Sequence, residues 1–120
     1  MKIKSHKDLE VWKESMNLVE TIYRITKGFP KEEQFGLTSQ MKRACVSIPS
    51  NISEGAGRKS NLEFCRFLYI AMGSLSELET QLDLSKRLDF LNSKDEFNEI
   101  SQKIIFIRVM LSNLIKSLDK

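Results

Sequence analysis

At 120 residues the chain can close one hydrophobic core and is too short for two. Charged residues at 29% and hydrophobic ones at 41% exclude a disordered chain, and 19 Lys and Arg against 16 Asp and Glu leave a net charge of +3, which permits contact with a polyanion without requiring it. No apolar run approaches the roughly 20 residues that cross a bilayer. The opening Met1-Lys2-Ile3-Lys4-Ser5 is charged, with no apolar stretch behind it to act as a secretory signal. Cys45 and Cys65 fit no metal or redox spacing. The expectation is one cytosolic domain over residues 1–120, away from membranes, with two reduced thiols.

Glycine and proline divide the chain into helical segments. Gly28-Phe29-Pro30 closes one, Gly55-Ala56-Gly57 another, and Asn92-Ser93 separates the last two. No stretch alternates with period two for long enough to read as a strand. The first helix is predicted over residues 7–27. Leu9, Trp12, Met16, Val19 and Tyr23 share one stripe, and Val11, Leu18, Ile22 and Ile25 form a second beside it. At ~100° per residue the two merge into an apolar arc of roughly 200°, wider than a helix covered on one side needs.

The second helix is predicted over 37–54, with Thr38 or Ser39 near its N-cap and Leu37, Met41, Ala44, Ile48 and Ile52 as its core stripe. Pro49 lies inside this pattern and is expected to kink the helix, since it removes a backbone donor and crowds the carbonyl of Cys45. Gly55 is expected to take the left-handed conformation of a C-cap.

The third helix, 61–89, opens on Ser60-Asn61-Leu62-Glu63, the form of a capping box. Phe64, Phe67, Leu68, Ala71, Leu75, Leu78 and Leu82 make its core stripe, while Cys65, Tyr69 and Met72 lie off it. Mid-helix Gly73 costs about 1 kcal/mol relative to Ala, which close approach of another helix would offset.

The fourth helix, 94–118, opens on Ser93-Lys94-Asp95-Glu96. Phe97, Ile100, Ile104, Ile107, Leu111, Leu114 and Leu118 step by three and four. Each such side chain stabilises by roughly 1.5–3 kcal/mol when fully buried, against about 0–1 for a surface ion pair, so packing fixes this helix. Ile105, Phe106, Val109 and Met110 fall on the opposite side of the wheel. The predicted fold is an all-α, antiparallel up-down four-helix bundle with helix 2 kinked at its proline. Ile105, Phe106, Val109 and Met110, with Tyr69 and Met72, form an apolar face that a monomer leaves in water and that points to self-association.

Catalytic chemistry finds little footing. A di-iron bundle needs two Glu-x-x-His pairs, and His6 is the only histidine. It reads as a solvated residue near a helix start. Cys45 reads as a buried thiol with no second histidine to activate a nucleophile. Glu54, Glu77 and Glu79 read as solvated or hydrogen-bonded helix residues. Gly55-Ala56-Gly57-Arg58 lacks the setting of a phosphate loop. No enzyme, metal or cofactor is expected.

The basic residues are the one functional candidate visible in the spacing. Between residues 42 and 66 stand Lys42, Arg43, Arg58, Lys59 and Arg66 against Glu54 and Glu63. Several are expected to gather where helix 2 turns into helix 3, beside the positive end of the helix 3 dipole. A scattered solvated surface is the competing reading. No aromatic–basic interleaving of a base-stacking platform is evident.

Three stretches carry a family resemblance: Asp8-Leu9-Glu10-Val11-Trp12, Ser47-Ile48-Pro49-Ser50-Asn51-Ile52-Ser53-Glu54-Gly55-Ala56-Gly57-Arg58, and the run from Phe67 to Leu82 that contains Gly73-Ser74-Leu75-Ser76-Glu77-Leu78-Glu79. Together they resemble the four-helix-bundle family of 23S rRNA intervening-sequence proteins. The resemblance implies an up-down bundle that assembles into rings of five, with a role near ribosomal RNA or the ribosome. The family is similar in fold to the accessory variability proteins of diversity-generating retroelements, which are pentamers that bind nucleic acid and a reverse transcriptase. Two non-enzymatic readings follow: a pentamer that binds structured RNA, and a scaffold whose surface takes a protein partner with no nucleic-acid contact.

Overall fold

Four long helices form among residues 5–119, which the computed structural model describes; the charged segment Met1–Lys4 lies outside them. They are α1 Glu10–Thr26, α2 Leu37–Ala56, α3 Asn61–Arg87 and α4 Lys94–Leu118, with short 3-10 turns at His6–Asp8 and Lys31–Glu33 and no strand among the described residues. Each helix packs on its neighbours in sequence, and α4 closes back onto α1. The residue numbers in contact run in opposite directions. On α2 and α3, Ser47 Oγ meets Ser74 Oγ at 2.8 Å and Ser85 Oγ donates to Met41 Sδ at 3.4 Å. On α3 and α4, Asn61 Nδ2 donates to the Leu118 carbonyl at 3.4 Å and Arg108 pairs with Glu79 at 2.9 Å. The bundle is therefore up-down, and its long axis of 44 Å matches the ~40 Å of a 27-residue helix.

The helix starts show how local chemistry sets boundaries. Ser60 Oγ accepts from the Glu63 amide at 3.2 Å and Ser93 Oγ from the Glu96 amide at 3.1 Å, as the two capping patterns predict. α2 starts at Leu37 as expected, but its cap differs. Thr38 is buried, Gly36 is the N-cap, and the Glu33 carboxylate reaches forward to accept from the Leu37 amide at 3.0 Å. At the first helix, the predicted start at residue 7 gives way to a 3-10 turn capped by Ser5 and an extended Leu9, so α1 begins at Glu10. α3 ends at Arg87, two residues early, where Asp89 takes a positive φ of 59° and the Phe90 amide reaches back to the Ser85 carbonyl at 2.9 Å.

One core joins the four helices. Leu18 and Ile22 of α1, Met41, Ile48 and Ile52 of α2, Leu68, Leu75, Leu78 and Leu82 of α3, and Ile100, Ile104 and Ile107 of α4 are fully buried there. Of the two stripes on α1, the one with Val11, Leu18, Ile22 and Ile25 is interior throughout, and of the other only Leu9 is buried. Met16 and Tyr23 are exposed, and Trp12 and Val19 half-buried, because α2 and α4 flank that side of the helix without covering it. Phe67, Phe97 and Leu118, expected in core stripes, are half-buried at the edges. Phe29, read from sequence as part of a helix stop, is buried and packs its ring on Phe90 at 5.5 Å.

Two glycines reverse their expected roles. Gly55 has a negative φ and lies inside α2, which runs to Ala56 and caps on Gly57. A Cβ at Gly55 would stand 2.8 Å from Phe67 Cβ and 2.9 Å from Phe64 Cδ1, so this glycine is what lets α2 and α3 approach. At Gly73, where close approach was expected, a Cβ would meet nothing within 4 Å, because the residue faces away from every neighbouring helix. α2 continues on both sides of buried Pro49.

Candidate nucleic-acid interface and outer apolar face

The five basic residues divide into two groups. Arg58 and Lys59 stand in the turn between α2 and α3, and Arg66 lies in the second turn of α3. Lys42 and Arg43 belong to the N-terminal half of α2, about 24 Å along the helix from the turn at 1.5 Å per residue. The α2 rod keeps the two groups apart. Within the turn group, Arg58 is already engaged: it lies 3.6 Å from Glu54 and 3.9 Å from Glu63, and stacks over Phe67 at 5.0 Å. Among the described residues, Lys42, Arg43, Lys59 and Arg66 have no carboxylate within ion-pair distance. Lys42 Nζ sits 4.8 Å above the Tyr23 ring, which holds it at the α1–α2 surface.

That surface contains what sequence reading did not find. Tyr23 from α1, Gln34 and Phe35 from the loop before α2, and Lys42, Arg43 and Val46 from α2 line one open groove. Phe35 is 90% exposed, more than any other large hydrophobic residue described. The aromatic and basic side chains come from three segments, so no interleaving appears along the chain. An isolated Phe outside any apolar stripe was the only available signal.

The outer apolar face is partly as predicted. Phe106 is 54% exposed, Val109 50% and Ile105 49%, and their spacing places them together on the outside of α4. Tyr69, 61% exposed, rims the α3–α4 seam with Leu62, Cys65 and Ile115. Met72 and Met110 are half-buried against the bundle's own core.

The remaining candidate groups have structural partners. His6, expected in solvent, is half-buried with its ring edge-on to Trp12 at 5.1 Å. Glu79 holds Arg108, Glu77 accepts from Gln81 Nε2 at 3.1 Å, and Glu54 holds Arg58. Burial pushes the Cys45 thiol from its ordinary 9.0 up to about 12, so it stays protonated at neutral pH.

No curated protein matches the sequence. Among solved structures the chain is similar to the crystal structure of a protein with unknown function from the S23 ribosomal protein family of Bacteroides thetaiotaomicron. The TM-score is 0.80 at 24% identity, over 88% of this chain and 95% of that one, a likeness of fold. The family model described as 23S rRNA-intervening sequence protein matches residues 7–113. The chain belongs to the 23S rRNA-intervening sequence protein family.

Proposed function

We propose that this protein is a non-enzymatic, cytosolic RNA-binding protein that works as a homo-oligomer, in a ring of five as the family resemblance implies. The observation that carries the RNA reading is that Lys42, Arg43, Lys59 and Arg66 have no internal carboxylate partner among the described residues. Cations left without a carboxylate partner keep their charge available to neutralise phosphates and release their counterions. The self-association reading draws support from Ile105, Phe106, Val109 and Tyr69, a solvent-facing apolar surface that a second copy would cover. A closed ring takes heterologous contacts, so this face would dock on a different face of the next copy. Repetition around the ring raises avidity while each subunit keeps the same few cations. The non-enzymatic reading draws on the thiol of Cys45, kept protonated by burial, and on His6, whose ring packs on Trp12.

The test is a titration of structured ribosomal RNA fragments at increasing salt, with wild type and an Arg43→Glu/Lys59→Glu/Arg66→Glu variant that keeps its assembly. Wild type should bind, with an affinity that falls steeply with salt. The variant should bind more weakly, its log–log slope shallower by roughly 0.7 for each single-strand phosphate it no longer neutralises. Absence of wild-type binding at about 50 mM salt, where the attraction to phosphates is strongest, would end the RNA reading and leave a scaffold that takes a protein partner through its apolar face.

A further inference from the structure

We infer that the groove between α1 and α2 is a stacking site for unpaired RNA nucleotides, with Phe35 as its platform and Lys42 and Arg43 as its phosphate-binding cations. The inference rests on the RNA-binding reading above and adds to it a place, a nucleotide class and a geometry.

Phe35 is held out by the turn that carries it. Around it, the Gly36 amide donates to the Glu33 carbonyl at 3.0 Å, the Gln40 amide to the Gly36 carbonyl at 3.0 Å, and the Leu37 amide to the Glu33 carboxylate at 3.0 Å. The segment passes from a 3-10 turn into α2 with its backbone hydrogen-bonded on both sides of the phenylalanine. The backbone that carries the ring is thus fixed before any partner arrives, and the ring itself stands 90% in water. Tyr23, 41% exposed, adds a second aromatic surface to the same groove.

The other lining groups decide what the ring receives. Lys42 and Arg43 supply two positive charges, Gln34 and Ser39 supply hydrogen-bonding groups, and no carboxylate lines the groove. Glu33 is committed to the start of α2, and Glu77 lines only the adjoining α2–α3 groove beyond Arg43 and Ser47. An apolar helix from another protein would dehydrate both cations without pairing them, at a cost. A single-stranded polynucleotide offers a π face to Phe35 and phosphates to Lys42 and Arg43 together. Paired bases in an A-form helix keep their faces stacked on one another, so the groove selects loops, bulges and ends. Stacking of this kind tolerates any base, and the site should read unpairedness more than sequence.

The experiment compares oligouridine with a blunt duplex RNA, using the full-length wild type, Phe35→Ala and Phe35→Trp. Phe35 makes little packing, so Phe35→Ala should keep the wild-type melting curve and sedimentation. It should lose on the order of tenfold in affinity for oligouridine while duplex binding stays unchanged. Phe35→Trp should restore the single-strand affinity. Equal binding of oligouridine by wild type and Phe35→Ala, with both binding RNA, would overturn the groove and leave the broader RNA reading standing. A Phe35→Ala protein that sediments at a smaller mass would overturn it differently, by showing that the ring belongs to an interface between copies. Wild type that binds neither RNA would overturn both readings.

Discussion

A methyl group added at Gly55 would lie 2.8 Å from Phe67 Cβ and 3.2 Å from the Phe64 carbonyl oxygen, and neither atom is the free end of a flexible side chain. Gly55→Ala should therefore force α2 and α3 apart and destabilise the bundle by about 1–3 kcal/mol. Gly73→Ala should act in the opposite direction. Its Cβ enters open space on an exposed helix surface, so the gain in helix propensity, about 1 kcal/mol, is not offset. Urea denaturation of the two variants separates these outcomes, and similar midpoints would show that α2 and α3 do not meet closely at Gly55. Cys45 gives a pH prediction with a definite sign. Its folded pKa, raised to about 12 by burial, exceeds the ordinary 9.0 of an unfolded chain. The folded state then holds the proton more tightly, and this contribution is complete below pH 9.0 and lost as pH climbs towards 12. Wild type should lose stability across that alkaline window more steeply than Cys45→Ala, by up to about 1.4 kcal/mol per pH unit. Parallel pH profiles for the two proteins would contradict the burial of the thiol.

Among the elements, the α2–α3 seam carries the polar core. Ser47 and Ser74 share a hydrogen bond, and Ser85 bonds the Gln81 carbonyl at 2.8 Å and Met41. Gln81 is buried, with Nε2 on Glu77 and Oε1 without a partner. An unsatisfied buried acceptor costs about 1–3 kcal/mol, so Gln81→Met, which keeps the volume, should raise the melting temperature. A lowered melting temperature would mean that Oε1 is satisfied or that the Glu77 bond matters more. Helix existence was legible because the apolar periodicity is strong, and the starts of α3 and α4 because Ser60 and Ser93 cap by a recognisable pattern. The start of α2 at Leu37 was legible but its cap was not, since that cap is a carboxylate reaching forward from Glu33 and no sequence pattern marks the role. Nor could a 200° arc on α1 say which half is interior. That depends on where α2 and α4 stand, and the structure turns Leu18 and Ile22 inward and Tyr23 out.

For the whole molecule, charge and apolar surface matter through their arrangement. The basic residues were legible one by one, but their grouping was not, because it depends on the length of α2 and on which carboxylates fold next to them. Arg58 came out paired with Glu54 and Glu63, while Lys42 and Arg43 came out beside an exposed phenylalanine from another segment. Ile105, Phe106 and Val109 were legible as a set, because they lie opposite a regular core stripe on one helix. The proposed self-association would tie these features together, by covering the outer α4 face and repeating the cationic surface around a ring. The most direct test is the solution mass of the wild-type chain by light scattering at micromolar concentration, beside Phe106→Glu. Wild type should give about 70 kDa, five times the 13.9 kDa chain, and Phe106→Glu should fall to smaller species while remaining helical. A wild-type mass of 13.9 kDa would contradict the account, for Ile105, Phe106 and Val109 would then stay in water with no second copy to cover them.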